Sequence, residues 1–369
     1  MTTKTAQAPS LAVICLAGVS TASPFTLEAP DGGHTLTFSG QQQSRYTITL
    51  GDDPVAGDDD VGGFTLPRTA IRLDGTAPRG ISYGIQAVFD TSGAFVLEEA
   101  SIGFELGTHW SLSVGVLALP LLTEDAVFDY YGQAVDQSAV NIVFGQGDSD
   151  GIVLSREDET TRLSLAFSDG LNSTSTDFNA DAVDYAFTAR FDLMGGPSGW
   201  GDFDEFPSFR GSPDAWRIGG AGHYEEGDPG GGTRDVLQWT VDAHLKGNGW
   251  NVFAAYVGRR SDTPGVGAFT DHGVVAQFGV FVTDDIEPFC RYDVLLPDDD
   301  RAGNDDLHTI TFGANWYIHG HAFRCTADCV HVLDGTTGND LFAGGDSTIG
   351  VLADDGEQTV LRVQMQLLF

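Results

Sequence analysis

Residues 35–50, TLTFSGQQQSRYTITL, place Leu36, Phe38, Tyr46, Ile48 and Leu50 on one parity. The other parity holds Thr35, Thr37, Ser39, Gln41, Gln43, Arg45, Thr47 and Thr49. A period of two sustained over such a length marks a strand with one apolar and one wet face. Ordinary strands run about 5–6 residues, whereas a tilted strand crossing a bilayer needs about 9–11. The rhythm recurs: Ile81, Tyr83, Ile85, Ala87 and Phe89 alternate with Ser82, Gly84 and Gln86, and Tyr185, Phe187, Ala189 and Phe191 alternate with Asp184, Thr188, Arg190 and Asp192. Segments of this kind lie near 34–50, 63–76, 79–91, 95–107, 109–117, 150–157, 160–169, 181–194, 214–226, 234–246, 249–259, 272–283, 286–297, 306–319, 321–334 and 357–369. They number 16, an even count as a closed antiparallel bacterial barrel requires. The expected fold is therefore all-β: a closed antiparallel transmembrane barrel of 16 strands.

The connections agree with a barrel. Short turns such as TAPRG, GTH and KGNG alternate with long polar stretches at 51–62, 118–149, 170–180, 227–233, 260–271, 298–305 and 335–356. Short periplasmic turns alternating with long external loops are a feature of outer-membrane barrels. One segment departs from the scheme: residues 195–213 fall on the short-turn side yet are long.

The termini complete the organisation. Residues 11–19, LAVICLAGV, follow Lys4 and precede small residues, the outline of a signal peptide over 1–22. Cys15 within it invites a lipoprotein reading, which bulky Ile14 opposes. Residues 23–369 then form one barrel domain. The chain ends on VLRVQMQLLF, with Leu361, Val363, Met365, Leu367 and Phe369 apolar. A closed barrel needs its last strand to pair with its first, so that no edge remains.

Charge bounds the function. The 53 acids outnumber 18 basic residues, for a net charge of −35, and only Lys4 and Lys246 are lysines. Such a surface repels phosphate backbones and excludes nucleic-acid binding. On the parities above, Arg45, Arg68, Arg72, Arg162, Arg190, Arg217, Arg291, Arg324 and Arg362 take the wet face, as candidate pore-lining groups. Arginine rings favour anions in a pore. The same face carries Asp74, Glu99, Asp192, Asp242, Glu287, Asp293 and Asp328, so cross-strand pairs that stiffen the wall are the other reading. Acidic runs in the external loops, GDDPVAGDDD and PDDDRAGNDD among them, form a self-repelling crown or bridge through Ca2+. Cys325 and Cys329 are too far apart along one strand for a disulfide, and His319 and His321 lack a third metal ligand. No Ser, His and acid converge, so an enzyme is not expected.

Several stretches together resemble the phosphate-selective porin O and P family. They are GFTLPRTAIRLDG, SYGIQAVFD with FVLEEASIGFEL, WSLSVGVLALPLLTEDAV, AFTARFDLM, AWRIGGAGHYEEG, VDAHLKGNGWNVFAAYVG and TITFGANWYIHGHAFRCTADCVHV, in that order. The resemblance implies a trimeric 16-stranded channel in the outer-membrane lipid, with loop three folded into the pore. Loop three is then 118–149, and its Glu124, Asp125, Asp129 and Asp136 become the constriction residues. Arg68 and Arg72 fall on the family's arginine ladder, while Pro67 stands where a further arginine is expected. Loop three carries acids where phosphate-selective members place lysines.

The expected function is passive diffusion of small hydrophilic or ionic solutes, with phosphate and other anions as one case. The alternatives are a structural or adhesive surface barrel bridged by divalent ions, and a soluble secreted β protein.

Overall fold

A computed structural model of the chain describes residues 24–30, 32–51, 60–89, 93–127, 129–173, 183–227, 234–353 and 356–369. The expected signal peptide lies outside these residues. Among them run β1 (Phe25–Glu28), β2 (Thr35–Leu50), β3 (Asp60–Thr65), β4 (Thr69–Ala77), β5 (Ile81–Phe89), β6 (Phe95–Glu105), β7 (Trp110–Ala118), β8 (Asp148–Glu157) and β9 (Thr161–Ser168). They continue with β10 (Val183–Gly195), β11 (Ala215–Gly227), β12 (Asp235–Gly247), β13 (Trp250–Thr263), β14 (Gly267–Val280), β15 (Ile286–Leu296), β16 (Leu307–His321), β17 (Phe323–Val332) and β18 (Gln358–Leu368). Helices are confined to short turns, α1 (Thr123–Ala126) and α2 (Ala139–Phe144) among them.

Every strand pairs antiparallel with its neighbour, and β18 pairs with β2 from Thr359↔Leu50 to Leu368↔Gln41, which closes the sheet. The eighteen strands fill sixteen ring positions, because β3 and β4 share one and β1 shares that of β18. β3 pairs with the outer half of β2 and β4 with the inner half. The sequence rhythm predicts one strand across 63–76. Pro67 interrupts it, since proline offers no N–H to the ladder. A second difference is β1, which pairs Phe25↔Phe38 through Glu28↔Thr35 along β2 and continues the edge where β18 stops. A third is 260–271, expected as a long loop. There β13 and β14 pair as far as Thr263↔Gly267 around a tight turn.

The two parities separate as a membrane demands. Val363 is 49% exposed on the outside and its neighbour Gln364 is 1% exposed within. Large apolar side chains such as Phe187, Phe191, Trp216 and Phe312 are exposed around the ring. Continuous apolar surface on this scale is not left to water by a soluble protein; in hydrocarbon it is the favourable skin of a barrel. The chain is a closed transmembrane β-barrel of the bacterial outer-membrane type. Its C-terminal Phe369 exchanges both backbone hydrogen bonds with Gly40, N to O at 3.0 Å and O to N at 2.8 Å. A Cβ on Gly40 would lie 2.7 Å from the Phe369 ring, so only glycine admits that ring.

Candidate permeation pathway

Loop three, residues 119–147, folds into the lumen. It first ties itself together: Glu124 accepts from the Ser138 N–H at 2.7 Å and its hydroxyl at 2.6 Å. Ser138 Oγ in turn caps α2 by accepting from the Asn141 N–H. The apolar face of α2, with Ala139, Val140 and Phe144, then packs on Val257, Leu295, Leu307 and Val330 of the inner wall. Charged wall groups hold the loop backbone. Arg190 donates to the Leu121 carbonyl at 2.7 Å, Arg291 to that of Asp136 at 2.9 Å and Arg324 to that of Gly132 at 2.6 Å. Asp328 accepts from the Val135 N–H and Glu287 from Gln133. With Arg217 on Thr123 and Arg45 on Asp136, the loop is fixed to β10–β18 and β2. A Cβ on Gly279 of β14 would overlap the Gln133 amide, so glycine there makes room for the loop.

Two more segments fill the same side. The long periplasmic segment 196–214 enters from below: Phe206 packs on Val127 and Phe253, and its N–H donates to the Tyr131 carbonyl of loop three. Lys246 donates to the carbonyls of Asp202 and Glu205, and the Glu205 carboxylate meets His321 Nε2 at 2.8 Å. From the external end, Phe342, Ile349 and Val351 join the apolar cluster around α2. The carbonyls of Thr348 and Gly350 accept from Arg45 and Thr49, each at 2.6 Å.

The nine candidate arginines all point inward, and eight stand in ion pairs with carboxylates. Three pairs share a strand two residues apart: Arg72 with Asp74, Arg190 with Asp192 and Arg291 with Asp293. Arg362 pairs across strands with Asp328 at 2.7 Å, and Arg217 shares Asp192 and Asp242 with Arg190. Arg162 pairs with Glu157, and Arg324 bonds Gln366 and lies over the Tyr317 ring. Side-chain exposure divides the set. Arg45, Arg190, Arg217, Arg291 and Arg362 are 8% exposed or less, whereas Arg68, Arg72, Glu99 and Asp129 are 20–22% exposed. Water-accessible lumenal charge therefore borders β3–β6 and the tip of loop three, with Arg162, 28% exposed, a further case on β9.

The four loop-three acids are placed unequally. Glu124 and Asp136 are buried, Glu124 bonded to Ser138 and Asp136 paired with Arg45 at 2.9 Å. Asp125 accepts from Asn141 and from the Gly147 N–H. Burial pushes the carboxyls of Glu124 and Asp125 up. Asp129 meets Arg68 at 2.6 Å, yet burial, with Asp136 and Glu98 nearby, raises it to about 6.

Sequence reasoning missed Glu98. The β5–β6 register shifts between Gln86 and Ala87, which pair with Glu99 and Leu97. Glu98 is the extra residue of this bulge, and with Glu99 it turns inward: Gln86 donates to Glu98, and Arg72 to Glu99. Adjacent acids in an otherwise alternating strand were the available signal. In segment 196–214 the signal was Phe203, Phe206 and Phe209, too apolar for a solvated turn.

Solved structures resemble this arrangement over most of its length. An anion-selective porin from Comamonas acidovorans superposes with a TM-score of 0.65 at 13% identity, over 91% of this chain and 100% of that one. The fold is that of the outer-membrane porins. The outer-membrane channel DcaP of Acinetobacter baumannii shares it at a TM-score of 0.61 and 12% identity, over 93% and 99% of the two chains. Outer-membrane OmpT of Vibrio cholerae shares it at 0.61 and 13%, over 94% and 100%. No protein-family model and no curated protein matches the sequence. The resemblance to the phosphate-selective branch thus stands at the level of the general porin fold.

Proposed function

We propose that the protein is a passive diffusion channel for small hydrophilic and ionic solutes across the outer membrane, assembled as a homotrimer. The observation that carries this reading is the lumen: loop three lies on the wall and leaves Arg68, Arg72, Glu99 and Asp129, 20–22% exposed, as water-accessible charges at its border. A sixteen-stranded barrel is wide enough for an aqueous channel even with a loop inside. The neighbouring folds include an anion-selective porin and a trimeric form of OmpT. Phosphate selectivity is not the reading we favour, because eight of the nine lumenal arginines are already neutralised by carboxylates. Purified protein in planar bilayers is expected to give discrete conductance steps; a folded barrel that gives none overturns the proposal. A plugged structural barrel, favoured by the heavily filled β10–β18 side, is the outcome such silence would support.

A further inference from the structure

We propose that a cavity at the periplasmic mouth binds small organic cations bearing N–H donors, primary ammonium or guanidinium groups, on their way through the channel. The inference deepens the channel reading and rests on it. The cavity measures about 630 Å3 and is bounded by Tyr130 and Tyr131 of loop three, Asp204 and Glu205 of segment 196–214, Gln41 of β2 and Phe369. Its size falls within the few hundred to about 1,000 Å3 of small-molecule sites.

Three features define the guest. Gln41 sits in the wall at 6% exposure, with its Oε1 lacking any hydrogen-bond partner. A buried acceptor left unsatisfied costs about 1–3 kcal/mol, and rotation of this amide presents it to a donor in the cavity. Asp204 and Glu205 add carboxylates to the lining, Glu205 beside His321 at 2.8 Å. Tyr130 and Tyr131, with ring centroids 4.5 Å apart, supply aromatic surface that attracts a cation. An anion finds no free partner in Arg72, whose guanidinium is held by Asp74 and Glu99. A quaternary ammonium meets the charge and the rings but has no hydrogen to give Gln41.

The test uses the full-length protein in planar bilayers under a potassium gradient. Butylammonium, tetramethylammonium and butanoate are added in turn to the periplasmic side, with calorimetry on the detergent-solubilised protein alongside. Butylammonium is expected to block the potassium current at concentrations about tenfold below tetramethylammonium, and butanoate not to block. Asp204→Asn and Gln41→Leu are each expected to weaken the block, and Gln41→Glu, which keeps the acceptor and adds charge, to strengthen it. Potassium current without preferential butylammonium block, or block unchanged in Gln41→Leu, overturns the site and leaves the channel standing. Absence of any current overturns the channel, and calorimetry then decides the site alone: no butylammonium heat overturns it too.

Discussion

At the scale of single residues, the lumen is a set of charges whose hydration differs. Asp129, in loop three, is open to control by pH. Its carboxyl is raised from the ordinary 3.8 to about 6 by burial and by Asp136 and Glu98, against the pull of Arg68. The sign follows. The folded protein holds this proton more tightly than the unfolded chain, so protonation below pH 6 favours the fold and ionisation above it opposes burial. For permeation, lowering the pH through 6 removes one negative charge per lumen and leaves Arg68 only its longer contact with Asp136, at 3.7 Å. Reversal potentials at pH 7.5 and pH 5 are expected to move toward anion preference, and Asp129→Asn is expected to flatten that step. The pairs fixed on the opposite side behave differently. Arg362 and Asp328 are both fully buried, so Asp328→Ala leaves an uncompensated guanidinium and is expected to cost about 3–5 kcal/mol, read as a lower urea midpoint of the folded barrel.

At the scale of elements, the sequence was most legible where the physics is local. A two-residue rhythm sorts side chains within one strand, so β2, β5, β10 and β18 could be read from residues a few positions apart. The break at Pro67 went unread, one strand being expected across 63–76, although a proline's missing N–H is itself a local signal. The Arg-x-Asp pairs at 72, 190 and 291 also follow from that rhythm, because residues two apart share a face. The interior filling did not. That Phe206 meets Val127, or that Val351 joins the cluster around α2, depends on strands far apart in sequence. Loop three should therefore move when its seat is altered without touching its own residues. Gly279→Leu places a side chain where the Gln133 amide lies. The expected result is a barrel that still folds, as judged by heat-modifiable gel mobility, with single-channel conductance raised by about a factor of two, the bore of an unobstructed sixteen-stranded barrel being an open aqueous channel.

At the scale of the whole molecule, sixteen strand positions, the closure of β18 on β2 and the sorting of faces are one constraint. A closed ring leaves no unpaired backbone in hydrocarbon, but only if every strand keeps its parity, since a slip of one residue would turn the charged set outward. Lumenal guanidinium groups are tolerable because they face water, carboxylates or the carbonyls of loop three; the same group one residue along would face lipid. β5 offers the comparison at its midpoint. Ile85 is exposed on the outer face, while Gln86 points inward, donating to Glu98, facing Glu99 and accepting from Arg72 at 3.2 Å. Ile85→Arg is expected to destabilise the barrel in lipid vesicles by about 2–4 kcal/mol, the cost of a cation at bilayer depth. Gln86→Arg, one position away, gains the Glu98 and Glu99 carboxylates, which outnumber the one neighbouring guanidinium of Arg72, and is expected to shift the urea midpoint by less than half as much. Equal losses at the two positions would mean that residue parity does not divide lipid from lumen, and the reading of the chain as a transmembrane barrel would fall with it.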